Sequence, residues 1–326
     1  MRISIAAALL ALALPAFAQD GDVAVKLETP TGTLHGSLRA PLGATKGPAV
    51  LIVAGSGPTD RDGNQPRLPS DSLRQLAAAL GAEGIATLRY DKRGVAMSRE
   101  AAKAEKDLRF EHYVDDAAAW IAWLKADARF SLVAVAGHSE GALVGALAAA
   151  KAGAGAFVAI AGIARKPAEI LRAQLRPRLP EPFWLESERI LARLERGETA
   201  DGVPKELDIV YRPSVQPYLI SWFRQSPPEA MRALEVPVLV VQGSADVQVP
   251  VAEGEALAAA ARNAQLFIVP DMSHALKPAT DAASSMKGLT DPTVAIVPQV
   301  PARIARFVRE AAVAAPPKGR RGPAPT

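Results

Sequence analysis

The sequence predicts an α/β protein: a mostly parallel, eight-stranded sheet with helices on both faces and an inserted helical cap. Three observations predict it. Short apolar runs alternate with stretches of helical spacing, the rhythm of a parallel sheet covered on both sides. That rhythm breaks once, between Gly162 and Pro237, for far longer than a strand–helix–strand crossover needs. One buried strand, within Leu132–Gly145, turns through Gly-His-Ser-Glu-Gly straight into a helix rich in Ala and Leu.

Taken in order, the chain opens on MRISIAAALLALALPAFAQD. Arg2 is a charged head, Ile3–Leu14 an apolar core and Ala16-Phe17-Ala18 an A-x-A cleavage site; together they read as a secretory signal over residues 1–18. The expected mature chain starts at Gln19 and is periplasmic or secreted. No later stretch is long and apolar enough to span a membrane. Val23–Glu28 and Gly32–Ala40 flank a Pro-Thr-Gly turn and predict an antiparallel hairpin at a sheet edge. Ala49–Gly55 is continuously apolar, as a strand buried on both faces should be. A Gly/Asp/Pro loop, 55–69, leads to a helix at Leu73–Ala82. Ile85–Tyr90 is the next strand and Tyr113–Ala126 the next helix. The strand entering the Gly-His-Ser-Glu-Gly turn follows, then its helix, then strand Ala156–Gly162. The interval 163–235, rich in Pro, Arg and Glu, predicts the helical cap, with an amphipathic helix around Ser187–Arg196. Strand Pro237–Gly243, helix Glu253–Arg262, strand Gln265–Pro270 and helix Val300–Val313 complete a core made of 19–162 and 236–314. The tail, 315–326, is rich in Pro, Gly and charge and predicts disorder.

Composition excludes several classes. The 326 residues are 49% hydrophobic and 22% charged, ordinary for a globular chain. Of the net charge of +4, Lys318, Arg320 and Arg321 in the tail account for three, and no basic stripe with interleaved aromatics predicts a nucleic-acid partner. With no cysteine, disulfides, thiol chemistry and thiolate metal sites are excluded.

The chemistry centres on Ser139, at the apex of Gly137-His138-Ser139-Glu140-Gly141. A strand reversing sharply into a helix crowds its backbone, so small residues flank the apex and the serine hydroxyl is pushed clear of the sheet. A serine hydroxyl needs a base. His35 lies in the hairpin, His112 precedes a helix, and His138 reads as structural, its side chain turned from the apex. His274 lies in the loop after the last strand, on the rim where α/β sites form. Asp246, in the loop after Pro237–Gly243, is the acid expected to orient it; Asp271 is a rival, too close in sequence to His274 to do so easily. Oxyanion donors are expected from the backbone N–H of Glu140 and from the loop after Ala49–Gly55, with Ser56 ahead of Gly57. The Glu140 side chain should turn away, towards Lys92 or Arg93. Trp184 and Trp222 are candidate lining residues for the substrate. Two further patterns compete with this one. Asp60-Arg61-Asp62-Gly63-Asn64 alternates oxygen ligands, but its glycine is misplaced for a calcium loop. Gly55-Ser56-Gly57 lacks the third glycine of a dinucleotide fingerprint. No metal and no cofactor are expected.

Three blocks carry a family resemblance: GSGPTDRDGN (Gly55–Asn64), LRYDKRGVAMS (Leu88–Ser98) and GHSEG (Gly137–Gly141). With the order Ser139, Asp246, His274, they resemble the α/β-hydrolase superfamily over roughly Leu27–Val313, and within it a bacterial group of esterases and serine-aminopeptidase-like hydrolases. Ala96 stands where that group often has glycine. The resemblance implies a carboxylesterase-type serine hydrolase with a Ser-Asp-His triad, acting on small-molecule esters without a cofactor. Fold and triad serve many reactions. A peptidase or amidase, with Glu169, Glu181, Glu186 or Glu188 holding a substrate ammonium, is one alternative. An acyltransferase is another, and a catalytically silent binding protein of the same fold a third.

Overall fold

The computed structural model describes residues 21–41 and 46–315. The expected signal over 1–18, the start at Gln19 and all of the expected tail except Ala315 lie outside the described residues.

β1 (Val23–Thr29) and β2 (Gly32–Arg39) form the expected antiparallel hairpin. β3 (Gly47–Val53), β4 (Ala86–Tyr90), β5 (Phe130–His138), β6 (Ala156–Ile160), β7 (Val238–Gly243) and β8 (Ala264–Val269) are mutually parallel. The strands lie in the order β1-β2-β4-β3-β5-β6-β7-β8, with β2 antiparallel to β4. Each strand stands where the apolar runs place it, its ends shifted by a residue or two.

Helices α1 (Ser72–Ala82), α2 (Phe110–Ala126) and α3 (Glu140–Ala152) connect the first strands. Between β6 and β7 stand α4 (Pro167–Leu175), α5 (Glu181–Glu195), α6 (Asp208–Tyr211), α7 (Gln216–Phe223) and α8 (Pro227–Arg232). α9 (Val251–Ala260), α10 (Ala282–Thr290) and α11 (Gln299–Ala314) follow. The sequence reading left α10 out. Its run AASSMKGLT has no strong apolar stripe, and it starts on a cap: the Asp281 carboxylate accepts from the Ser284 N–H at 2.7 Å.

The alternation of side chains along a strand builds the core twice over. On β3, Leu51 and Val53 enter one apolar cluster with Trp120, Ile121 and Leu124 of α2 and Leu143 of α3. Val50 and Ile52 enter the other, against Leu73, Leu76 and Leu80 of α1 and Ile304, Phe307 and Val308 of α11. The α11 residues recur at three- and four-residue spacing, which puts them on one helix face. Apart from a small cluster of Ile163, Ile170 and Val249, the interval between β6 and β7 shares the core of the sheet. Ile190, Leu191 and Leu194 of α5 and Tyr218, Leu219 and Phe223 of α7 belong to the same cluster as α2 and α3.

Candidate active site

β5 ends at His138 and α3 begins at Glu140, so a single residue makes the turn between them. That residue is Ser139, at φ 56° and ψ −123°. A non-glycine residue rarely holds a positive φ, and such strain persists only where its surroundings enforce it. Here the Ser139 N–H donates to the Ile160 carbonyl at 2.8 Å, which ties the apex to β6. The flanking glycines are sterically required. A Cβ on Gly137 would collide with the Gly141 carbonyl, and one on Gly141 with the Val53 carbonyl.

The loops after β7 and β8 open on the same rim. His274 Nδ1 lies 2.7 Å from Asp246 Oδ2. The other carboxylate oxygen accepts from the Gln248 N–H at 2.8 Å and the Val249 N–H at 2.9 Å. Burial alone would raise the Asp246 carboxyl, but His274 and the two amides hold it below the ordinary carboxylate range. Asp246 therefore stays ionised, the Nδ1 proton sits between the two groups, and Nε2 is left as the imidazole's free acceptor. Asp271 is exposed and its backbone N–H donates to the Ser244 hydroxyl, so its position matches the preference for Asp246.

His138 departs from the sequence reading. Its side chain does not turn away: it lines the same cavity as Ser139 and His274. Its ring lies 4.8 Å from that of His274, and Nε2 lies 2.8 Å from the His274 carbonyl. A carbonyl can only accept, so the proton is on Nε2. Burial, with the neighbouring His274 ring, lowers the His138 pKa to about 4. His138 is thus neutral at ordinary pH and anchors the backbone of the loop that carries His274.

Ser56 is exposed on the loop after β3, and Gly55 packs against Ser139, with its hypothetical Cβ 3.2 Å from the Ser139 Cβ. Among the described residues, the backbone N–H groups of Ser56 and Glu140 donate to no acceptor. The Glu140 side chain is buried and turned to Lys92, with Oε1 3.9 Å from Nζ. Burial pushes the Glu140 carboxyl up and the Lys92 ammonium down, and their mutual attraction opposes both shifts. The Tyr218 hydroxyl approaches the same carboxylate without reaching full hydrogen-bond geometry. Arg93 binds elsewhere, to Asp116 through two nitrogens and to the Thr31 hydroxyl.

The two acidic and basic sequence blocks hold each other. Asp91 accepts from the Arg61 N–H at 2.9 Å and its guanidinium at 2.6 Å, and Arg89 donates to Asp62 at 2.8 Å. Asp60 accepts from the Asp62 and Asn64 N–H groups, both at 2.9 Å, so its carboxylate closes a turn.

Two cavities meet at Ser56 and Gln65. The smaller, about 160 Å³, is lined by Ser139, His274, His138 and Leu289. The larger, about 630 Å³, extends past Glu140 beneath α6 and α7, with Tyr113, Tyr218, Leu219 and Trp222 in its wall. Trp222 therefore stands in the wall of the larger cavity. Trp184 is not among the residues of either cavity; its ring lies against the Arg176 guanidinium, 5.2 Å away. The sequence placed both tryptophans in the right segment but held no signal for which helix face looks inward.

Comparison with known proteins bears on the fold and the family. Esterase EstD of Thermotoga maritima is 28% identical over 251 residues, 74% of this chain; the chain spans 57% of that relative's length. Est1E from Butyrivibrio proteoclasticus, solved with ferulic acid bound, superposes with a TM-score of 0.61 at 19% identity, covering 89% of this chain and 99% of that one. A thermophilic esterase from Thermogutta terrifontis gives 0.54 at 20% identity, with the same coverage of each chain. At these identities the two structures speak to the fold. The sequence pattern of the Alpha/beta hydrolase family matches residues 34–282, from β2 to the start of α10. A match over that much of the chain makes this protein a member of the Alpha/beta hydrolase family.

Proposed function

We propose that the protein hydrolyses carboxylic esters through an acyl-enzyme on Ser139. The observation that carries this reading is the 2.7 Å contact between His274 Nδ1 and Asp246 Oδ2 on the rim that also holds Ser139. In this mechanism Nε2 of His274 takes the Ser139 proton as Oγ attacks the acyl carbon. Asp246 orients the ring and stabilises its charged form. The N–H groups of Ser56 and Glu140 hold the oxyanion, and His274 then gives its proton to the leaving alcohol. Water, activated by the same histidine, releases the acid. The acyl group fits the larger cavity, on the Ser56 and Glu140 side, and the alcohol the smaller one beside His274. The likeness to EstD supports an ester rather than an amide substrate.

The aminopeptidase alternative calls for an anion to hold a substrate ammonium. Glu181, Glu186 and Glu188 are paired with Arg176, Arg189 and Arg172, and none of the four candidate glutamates lines either cavity. The ester reading is tested by Ser139→Ala. Hydrolysis of a short p-nitrophenyl ester should fall by at least about 10⁴-fold, and labelling by a fluorophosphonate should vanish. Turnover by the variant at the wild-type rate would sink the reading.

A further inference from the structure

Lys92 has no step in the mechanism above, yet it touches both halves of the proposed oxyanion hole. It is 1% exposed, two residues past the end of β4. Its ammonium donates to the carbonyls of Gly55 and Gly57, the latter at 3.0 Å. Those carbonyls flank Ser56. Peptide bonds throughout the described residues are trans. In a trans peptide the C=O and the N–H that follows it point in opposite directions. Holding the Gly55 carbonyl on Lys92 therefore fixes the Ser56 N–H on the opposite side, away from Lys92. The second donor N–H belongs to Glu140, whose carboxylate lies 3.9 Å from the same ammonium.

We infer that Lys92 is a positioning residue of the oxyanion hole, one ammonium bracing the Ser56 loop through its carbonyls and the first residue of α3 through its carboxylate. The inference rests on the serine-esterase reading. It also gives the Glu140 side chain a purpose. A buried cation needs a counter-ion close by, and Glu140 supplies one while its own backbone N–H donates to no acceptor among the described residues. Donors fixed before the reaction need no rearrangement as charge develops, whereas a loop of Gly55-Ser56-Gly57 without the brace has freedom to turn its amide aside.

Lys92→Met keeps most of the length of the side chain, one atom short, and removes the charge and its donors. For a p-nitrophenyl ester, kcat should fall about 100-fold while KM moves less than about threefold, because the hole grips the transition state more than the ground state. Affinity for a trifluoromethyl ketone, whose adduct on Ser139 carries the oxyanion, should weaken in step with kcat. Lys92→Gln retains an uncharged NH2 with two donors and should recover part of the loss; it carries the same comparison if Lys92→Met does not fold by circular dichroism. The double variant K92M/E140Q separates bracing from charge neutralisation, and its kcat should stay at or below that of K92M. Wild-type kcat in K92M, or its return in the double variant, overturns the inference. If the wild-type protein neither hydrolyses the ester nor takes the fluorophosphonate, the serine-esterase reading falls and this inference with it; that result is separate from a Lys92 variant behaving as wild type.

Discussion

At the scale of single residues, His138 shows how much a neighbour can carry. It stands beside the apex serine in sequence, yet its partner is the His274 carbonyl, 136 positions away. Its pKa, lowered from 6.5 to about 4, has a consequence for stability with a definite sign. Between those values the unfolded chain binds a proton that the folded chain refuses. Stability therefore falls as the pH drops from about 6.5 towards 4 and is unaffected by this group above 6.5. At pH 5 the loss from this one residue is about 2 kcal/mol. His138→Gln does not titrate and can still donate to the His274 carbonyl, so its urea unfolding should weaken less between pH 7 and pH 5. Parallel pH curves for the two proteins would show that His138 carries no such shift.

At the scale of elements, the contrast lies between what a strand or helix announces and what a loop conceals. The central strands were legible because Ala49–Gly55 and Ala156–Gly162 are apolar without a break, and Pro237–Gly243 is apolar as far as Gln242, the pattern of a strand covered on both faces. Ser139, Asp246 and His274 were legible as candidates because each follows a predicted strand, in one chain order. Lys92 was visible only as a partner for Glu140. Its bonds to Gly55 and Gly57 span 37 and 35 positions and leave no local pattern. Trp184 and Trp222 differ only in the face their helices present, which the Pro-rich interval hides. Lys277 belongs with the concealed group. It is fully buried three residues after His274, and its ammonium donates to the Ser70 carbonyl at 2.6 Å and the Asp291 carbonyl at 2.8 Å. It thereby joins the His274 loop, the end of α10 and the start of α1. Lys277→Met would leave the Ser70 carbonyl unpaired and the Asp291 carbonyl with only the Val294 N–H, 3.3 Å away, and urea unfolding should show a loss of about 2 kcal/mol. An unchanged unfolding midpoint would show that the ammonium's own desolvation cancels its bonds.

At the scale of the whole molecule, the question is whether the interval between β6 and β7 is a domain or an extension of the core. The side chains argue for an extension. Tyr218 of α7 packs on Phe110 and Tyr113 of α2, with ring centroids 6.3 and 5.5 Å apart. The Phe110 N–H, in the first turn of α2, donates to the Ser221 hydroxyl of α7 at 2.8 Å. Alone, the interval's roughly seventy residues are near the lower limit at which one apolar core sustains a fold. Detached from α2 and α3 it would lose the surface that buries α5 and α7. The folded body should therefore melt as one unit. Scanning calorimetry should show a single transition of about 200 kcal/mol whose calorimetric and van't Hoff enthalpies agree. An interval that folded by itself would split off a separate transition of about 50 kcal/mol. That second peak would mean that the roof of the larger cavity can open without the sheet, and that substrate entry is governed by the melting of α4 to α8 rather than by the fixed walls described above.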